Sequence, residues 1–141
     1  MSQIRPLALC VFRDGDRILV FEGFDPLKNQ TFYRPLGGGI EFGESSEDAV
    51  RREIREEMNA EITDLSFLGT FENIFTFNGI PGHEIVQVYS GRMTDPRYIG
   101  QVEMFGHELT GEIIKLVWKR LSEFGREAPL YPEGLLDLLR T

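Results

Sequence analysis

Apolar residues fall along this chain in short bursts rich in Val, Ile, Leu and Phe, a length and composition that favour strands over helices. Leu7–Phe12 and Arg17–Phe21 flank Arg13-Asp14-Gly15-Asp16, which predicts a hairpin with Asp-Gly at its turn. A loop carrying Gly23, Pro26 and Asn29 leads to a third short strand, Thr31–Arg34, ended by Pro35. Gly37-Gly38-Gly39 follows and reads as a turn open to backbone angles that other residues avoid, where a ligand can approach the main chain closely. Further strands are expected over Ile62–Phe71, Asn73–Phe77, Glu84–Arg92 and Ile113–Trp118, with a long loop from Asp95 to Gly111.

Two segments have the helical period instead. Ser45, with Asp48 three residues on, predicts a capped start for a helix running from about Ser46 to Met58, and Glu47 and Asp48 suit the positive end of its dipole. Asn59 is the expected stop, because Asn is second only to Gly in tolerating the left-handed conformation at a helix end. Pro132–Leu139 predicts a short terminal helix with leucines to bury. Strands on both sides of a central helix, with a second helix last, predict an α/β/α sandwich around a mixed β-sheet, built as one domain over residues 1–141.

Composition narrows the chemistry. The net charge of −8 disfavours a nucleic-acid partner, since grip on a phosphate backbone needs several basic contacts. The single cysteine, Cys10, cannot form an internal disulfide and reads as a small buried hydrophobe. No apolar run approaches the ~18 residues of a membrane span, so no membrane partner and a reducing cytoplasm are expected. A small molecule is the expected partner, with a second copy of the chain, as a homodimer, the only macromolecular one.

The helix carries the candidate chemistry. At ~100° per residue, Glu53, Glu56 and Glu57 share one sector beside the apolar stripe of Val50, Ile54 and Met58, and Glu44 can point back at the same place from before the helix. Ordinary helix-surface ion pairs with Arg51, Arg52 and Arg55 are one explanation. Clustered like charges coupled at fixed distance to a glycine turn favour the other, a site for a hard divalent cation such as Mg²⁺ or Mn²⁺.

Gly38 to Ala60 resembles the Nudix box, G-x5-E-x7-R-E-U-x-E-E-x-G-U with U aliphatic. Gly38, Glu44, Arg52, Glu53, Ile54, Glu56 and Glu57 match at the required spacing, and Asn59 stands where the pattern has Gly. The resemblance implies a Nudix fold and divalent-metal-dependent hydrolysis of a pyrophosphate bond in a nucleoside diphosphate linked to another group. It assigns metal to Glu53, Glu56 and Glu57 with help from the Gly37 carbonyl and Glu44, and an orienting role to Arg52. The general base is Glu53 or a glutamate of the downstream loop, where Glu108 is preferred to Glu103 and Glu112. Arg34, Gly38 and Gly39 are candidates to contact substrate. Phe32, Tyr33, Phe75 and Phe77 could stack a base, although strand aromatics more often fill a core. His83 and His107 lack ligand spacing. A nucleotide-sensing domain without turnover, and an enzyme acting on RNA 5′ ends, are the alternative readings.

Overall fold

The computed structural model describes residues 2–95, 103–107 and 113–141. Its strands are β1 (Ile4–Asp14), β2 (Arg17–Asp25), β3 (Gln30–Arg34), β4 (Leu36–Gly39), β5 (Ile62–Phe77), β6 (Ile80–Met93), β7 (Glu103–His107) and β8 (Ile113–Arg120). The helices are α1 (Ser46–Met58) and α2 (Leu135–Leu139). The strands run β5-β6-β1-β2-β8-β7, with β4 also paired to β1 and β3 to β2. All pairings are antiparallel except β1 with β6, which makes the sheet mixed, as expected.

Strand alternation explains the layers. In β1, Ala8, Cys10 and Phe12 join Val50, Ile54 and Met58 of α1 in one buried cluster. Leu7, Leu9 and Val11, one residue out of phase, join Leu135 and Leu139 of α2 in another. The period of two therefore sends successive side chains of one strand into cores on opposite faces. Cys10 is buried among the first group, and burial pushes its thiol pKa far up, so it behaves as the small hydrophobe expected.

β1 and β2 share only the rungs next to their turn, Arg13 with Ile18 and Asp14 with Arg17, and Gly15 there has φ 64°. Beyond that turn β1 pairs with β4 and β6, while β2 pairs with β3 and β8. The two halves of the sheet thus part company, and a cavity of about 610 Å³ lies between them. Asp25 ties its rim: its carboxylate accepts from the backbone N–H groups of Leu27 and Lys28 in the β2–β3 loop and of Asn78 in the β5–β6 turn.

Three expectations change. Ile62–Phe77 is one bulged strand, because β6 pairs along its whole length and carries the polar Glu72 and Asn73 within the ladder. The expected loop from Asp95 to Gly111 contains β7, paired to β8 from Glu103–Val117 to His107–Ile113. The glycine run is strand rather than turn: Gly37, Gly38 and Gly39 pair with Leu9, Ala8 and Leu7. A side chain at Gly37 would meet the Ala8 carbonyl oxygen at 2.1 Å, and with φ at 146° only glycine lets β4 lie this close to β1. Among the described residues no helix is long and apolar enough to cross a membrane.

Candidate active site

Helix α1 begins and ends on the expected residues. The Ser45 hydroxyl accepts from the Asp48 N–H at 3.1 Å, and Asn59 closes the helix at φ 52°, ψ 43° with its N–H donating to the Arg55 carbonyl. These caps fix where the helix starts and stops, and the burial of Val50, Ile54 and Met58 against β1 sets its facing.

One arginine organises the face that results. Arg52 Nε and Nη2 donate to the two oxygens of Glu44 at 2.8 and 3.0 Å, a bidentate pair. Its Nη1 donates to Glu53 at 3.0 Å and Glu56 at 3.2 Å, and Nη2 also reaches the Gly39 carbonyl at 2.9 Å. Arg51 and Arg55 make the ordinary contacts of a helix surface, to Glu47 and the Ile62 carbonyl and to Glu61 respectively. The surface-pair explanation therefore describes Arg51 and Arg55, whereas Arg52 is the hub of a cluster. Hydrogen bonds from Arg52 hold the Glu44 carboxyl below its ordinary pKa, and those same carboxylates raise the guanidinium's own.

Gly38 stands directly against Glu53. A methyl group there would sit 2.5–2.7 Å from the Glu53 carboxylate atoms, so the carboxylate occupies the room a side chain would need. Glu57 is 5% exposed, and its backbone carbonyl lies against Gly106 of β7. The donor set of Glu53, Glu56 and Glu57 is all oxygen and anionic, which suits a hard divalent cation. Among the described residues no three carboxylate, thiol or imidazole side chains converge on one point, because Arg52 holds Glu53 and Glu56 towards itself. The chemistry of the set fits a cation, and seating one requires those two carboxylates to turn from the guanidinium. Gly37 shares β4 with Gly38 and Gly39 but packs against Ala8 and Leu9. Glu108 and Glu112 lie outside the described residues; Glu103 begins β7.

The cavity between the sheet halves adjoins this cluster through Arg5, whose Nη2 lies 3.8 Å from where a Gly39 side chain would begin. Arg34 lines the cavity too, its guanidinium 5.5 Å over the Phe21 ring. Of the four aromatics singled out, Phe32, Phe75 and Phe77 line it, and Tyr33 belongs to the core. Phe32 lies over Gly23 and Phe75 over Gly82, where added side chains would strike the rings at 2.4 and 2.3 Å. Arg5, Asn73, Glu84 and Tyr131 also line it and were not singled out from sequence. Phase was the available signal: Glu84 alternates in step with buried Val86 and Val88, and Arg5 with Leu7 and Leu9.

Comparison with known proteins agrees with this architecture. The NUDIX domain family matches residues 3–138. A MutT NUDIX hydrolase from Burkholderia pseudomallei is 23% identical, with 97% of each chain covered and a TM-score of 0.61. A NUDIX hydrolase from Nitrosomonas europaea is 18% identical at a TM-score of 0.65, covering 98% of this chain and 86% of its own. A mutator MutT protein from Bacillus halodurans is 20% identical at a TM-score of 0.60, covering 98% and 81%. At these identities the structural likeness speaks to the fold.

Proposed function

The chain belongs to the Nudix hydrolase family, and from that premise we propose that it hydrolyses the pyrophosphate bond of a nucleoside diphosphate linked to a further group, using Mg²⁺ or Mn²⁺. The observation that carries this reading is the Arg52 hub: one guanidinium holding Glu44, Glu53 and Glu56 beside Gly38 and Gly39, at the edge of a cavity lined by aromatic rings and cations.

Each residue then has a task. Glu53, Glu56 and Glu57, with the Gly37 carbonyl, would hold divalent cations, which when bound neutralise the diphosphate and make water a better nucleophile. Arg52 keeps the carboxylates aimed, a task that Glu44 shares by fixing two of the guanidinium's donors. Arg5 and Arg34 meet the phosphates on the cavity side, and the glycines of β4 let them approach the backbone. Water attacks one phosphorus, the bridging P–O bond breaks, and the departing oxygen keeps its electron pair on the second phosphoryl group. The water's proton passes to a carboxylate, either Glu53, which packs against Gly38, or Glu108, which lies outside the described residues.

The test is a panel of nucleoside triphosphates, nucleoside diphosphate sugars and dinucleoside polyphosphates, assayed with and without Mg²⁺ or Mn²⁺. Metal-dependent release of a nucleoside monophosphate from at least one class is expected. No cleavage of any member by protein that binds the metal would overturn the reading in favour of a sensing domain.

A further inference from the structure

Two polar side chains on the floor of the cavity are more than nine-tenths buried and short of partners. Glu84 is 6% exposed, and among the described residues its one ion pair is with Arg5 at 3.8 Å, too long for a hydrogen bond. Asn73 is 8% exposed, and neither its amide nor the Glu84 carboxylate makes a side-chain hydrogen bond among the described residues. Arg5 itself is 63% exposed and neutralises Glu84 only from its solvent side. Their polar atoms are left touching the solvent of the cavity, with no hydrogen-bond partner from the protein among the described residues. Both line the cavity, so a ligand there can supply what they lack.

Their placement limits the ligand. Arg5, Glu84 and Asn73 form one rung across β1, β6 and β5. Two strand spacings, roughly 10 Å, separate its ends, comparable to the distance from a nucleotide's α-phosphate to the far edge of its base. The rung begins at Arg5, next to Gly39 and the carboxylate cluster. Two residues along β5 and on the same face comes Phe75, paired with Gly82 and lying over it. A flat ring laid on Phe75 therefore brings its edge to Asn73 and Glu84, which points to a base rather than a sugar at this rung.

We propose that Glu84 and Asn73 select the base of the substrate, and that the base they select is guanine. A carboxylate needs two adjacent donors to fill its two oxygens, and the amide beside it offers N–H to an acceptor next to them. Guanine presents that sequence on one edge, with N2–H and N1–H for Glu84 and O6 for the Asn73 amide. Adenine and cytosine offer a single donor group beside an acceptor, and uracil one N–H between two acceptors. Each leaves a Glu84 oxygen unmatched. This inference rests on the proposed function, since it takes the cavity as the place where a nucleotide is held.

Nucleoside monophosphates test it apart from turnover, because they contain no pyrophosphate bond to cleave. Calorimetric titration of the whole chain with GMP, dGMP, IMP, AMP and UMP should show GMP and dGMP alike, and both about ten- to a hundredfold tighter than the others. IMP is the decisive ligand, as it differs from GMP only in lacking the 2-amino group. Glu84→Gln should bring GMP down to the affinity of IMP. Equal binding of GMP and IMP by the unmodified protein would overturn the proposal, whether or not the variant folds. A loss on removing the 2′-hydroxyl that exceeds the loss on changing the base would also overturn it, by placing a sugar at the rung. A chain that prefers GMP yet cleaves no diphosphate would fail the proposed function and keep the selectivity.

Discussion

The carboxylate cluster on α1 and the cavity between the sheet halves hold charge in opposite ways. Around Arg52 every donor is spent: five hydrogen bonds of 2.8–3.2 Å tie the guanidinium to Glu44, Glu53, Glu56 and the Gly39 carbonyl. At Glu84 the nearest cation stands 3.8 Å away and belongs to an exposed side chain. A satisfied network holds its residues in one arrangement until a ligand draws them out of it, as a cation would have to draw Glu53 and Glu56 from Arg52. An unsatisfied pair keeps part of its interaction energy for a ligand that matches it, which is a requirement for discriminating between ligands. The first region is thus built for invariant chemistry and the second for choice.

The contrast can be broken at its strongest point. Glu56→Gln or Glu57→Gln removes one anionic donor from the proposed cation set, and should lower turnover about a hundredfold or more while GMP binding without metal stays unchanged. Apo stability should hold or rise, since carboxylate repulsion is relieved. Unchanged turnover at the same Mg²⁺ concentration would take the residue out of the set.

Gly38→Ala should come next. The added methyl has to displace the Glu53 carboxylate, which is the free end of a side chain, so the fold survives while the donor moves. Turnover should fall about tenfold or more, as misplacing a reacting group by an ångström does, with melting temperature little changed. An active Gly38→Ala enzyme would show that Glu53 need not stand where it does.

Arg52→Lys keeps the charge but loses the bidentate hold on Glu44 and the separate bonds to Glu53 and Glu56. The Mg²⁺ concentration giving half-maximal rate should rise about ten- to a hundredfold, the usual cost of releasing metal ligands from their outer partners. The ratio of GMP to IMP affinity should not move, and if it does, the two regions are not independent.

The smallest effect belongs to Asp25 on the cavity rim. Burial pushes its pKa up, but the three backbone N–H groups it accepts from, with Lys28, outweigh that and hold the carboxyl below its ordinary value of 3.8. A group with a lowered folded pKa stabilises above the unfolded value, and the stabilisation is lost as the pH falls through the folded one. Asp25→Asn should therefore lower the melting temperature at neutral pH, and narrow its gap from the parent protein as the pH falls below about 3.8. It should weaken GMP binding modestly and leave the metal requirement alone. A gap that stays constant down the pH scale would mean the carboxylate charge contributes nothing there.

How far each region can be read from sequence follows the same division. The cluster is local: Ser45, Asn59 and the spacing of Arg52, Glu53, Glu56 and Glu57 lie within one stretch, and a helix of known period converts that spacing into shared direction. Asn59 at φ 52° even accounts for its own departure from the glycine of the box. The cavity is not local. Arg5, Asn73 and Glu84 become neighbours only through the register of three strands, which alternation does not specify between segments so far apart. The glycine strand is hidden in the sequence for a related reason, since residues without side chains carry no periodic signal, and its pairing with β1 depends on a close backbone approach. In β7, Gly106 interrupts the apolar alternation where it packs against the Glu57 carbonyl.

The one parallel pairing in the sheet has a consequence for how the molecule is made. Residues Ile4–Phe12 line up beside His83–Gly91, so nearly eighty residues must be synthesised between the two partners before the ladder can close. The β1–β2 turn, β4 and α1 all lie within the first fifty-eight residues and can assemble on a nascent chain, whereas β1, apolar towards both faces, waits with one edge bare. Such long-range closure is slow, and a bare apolar edge is an invitation to the wrong neighbour. Pulse-labelled hydrogen exchange during refolding should find the amides of Leu7–Phe12 and Val86–Tyr89 protected after those of α1, and the reverse order would place the parallel ladder in the nucleus. On that order the carboxylate helix is finished before the strands that line the cavity have closed.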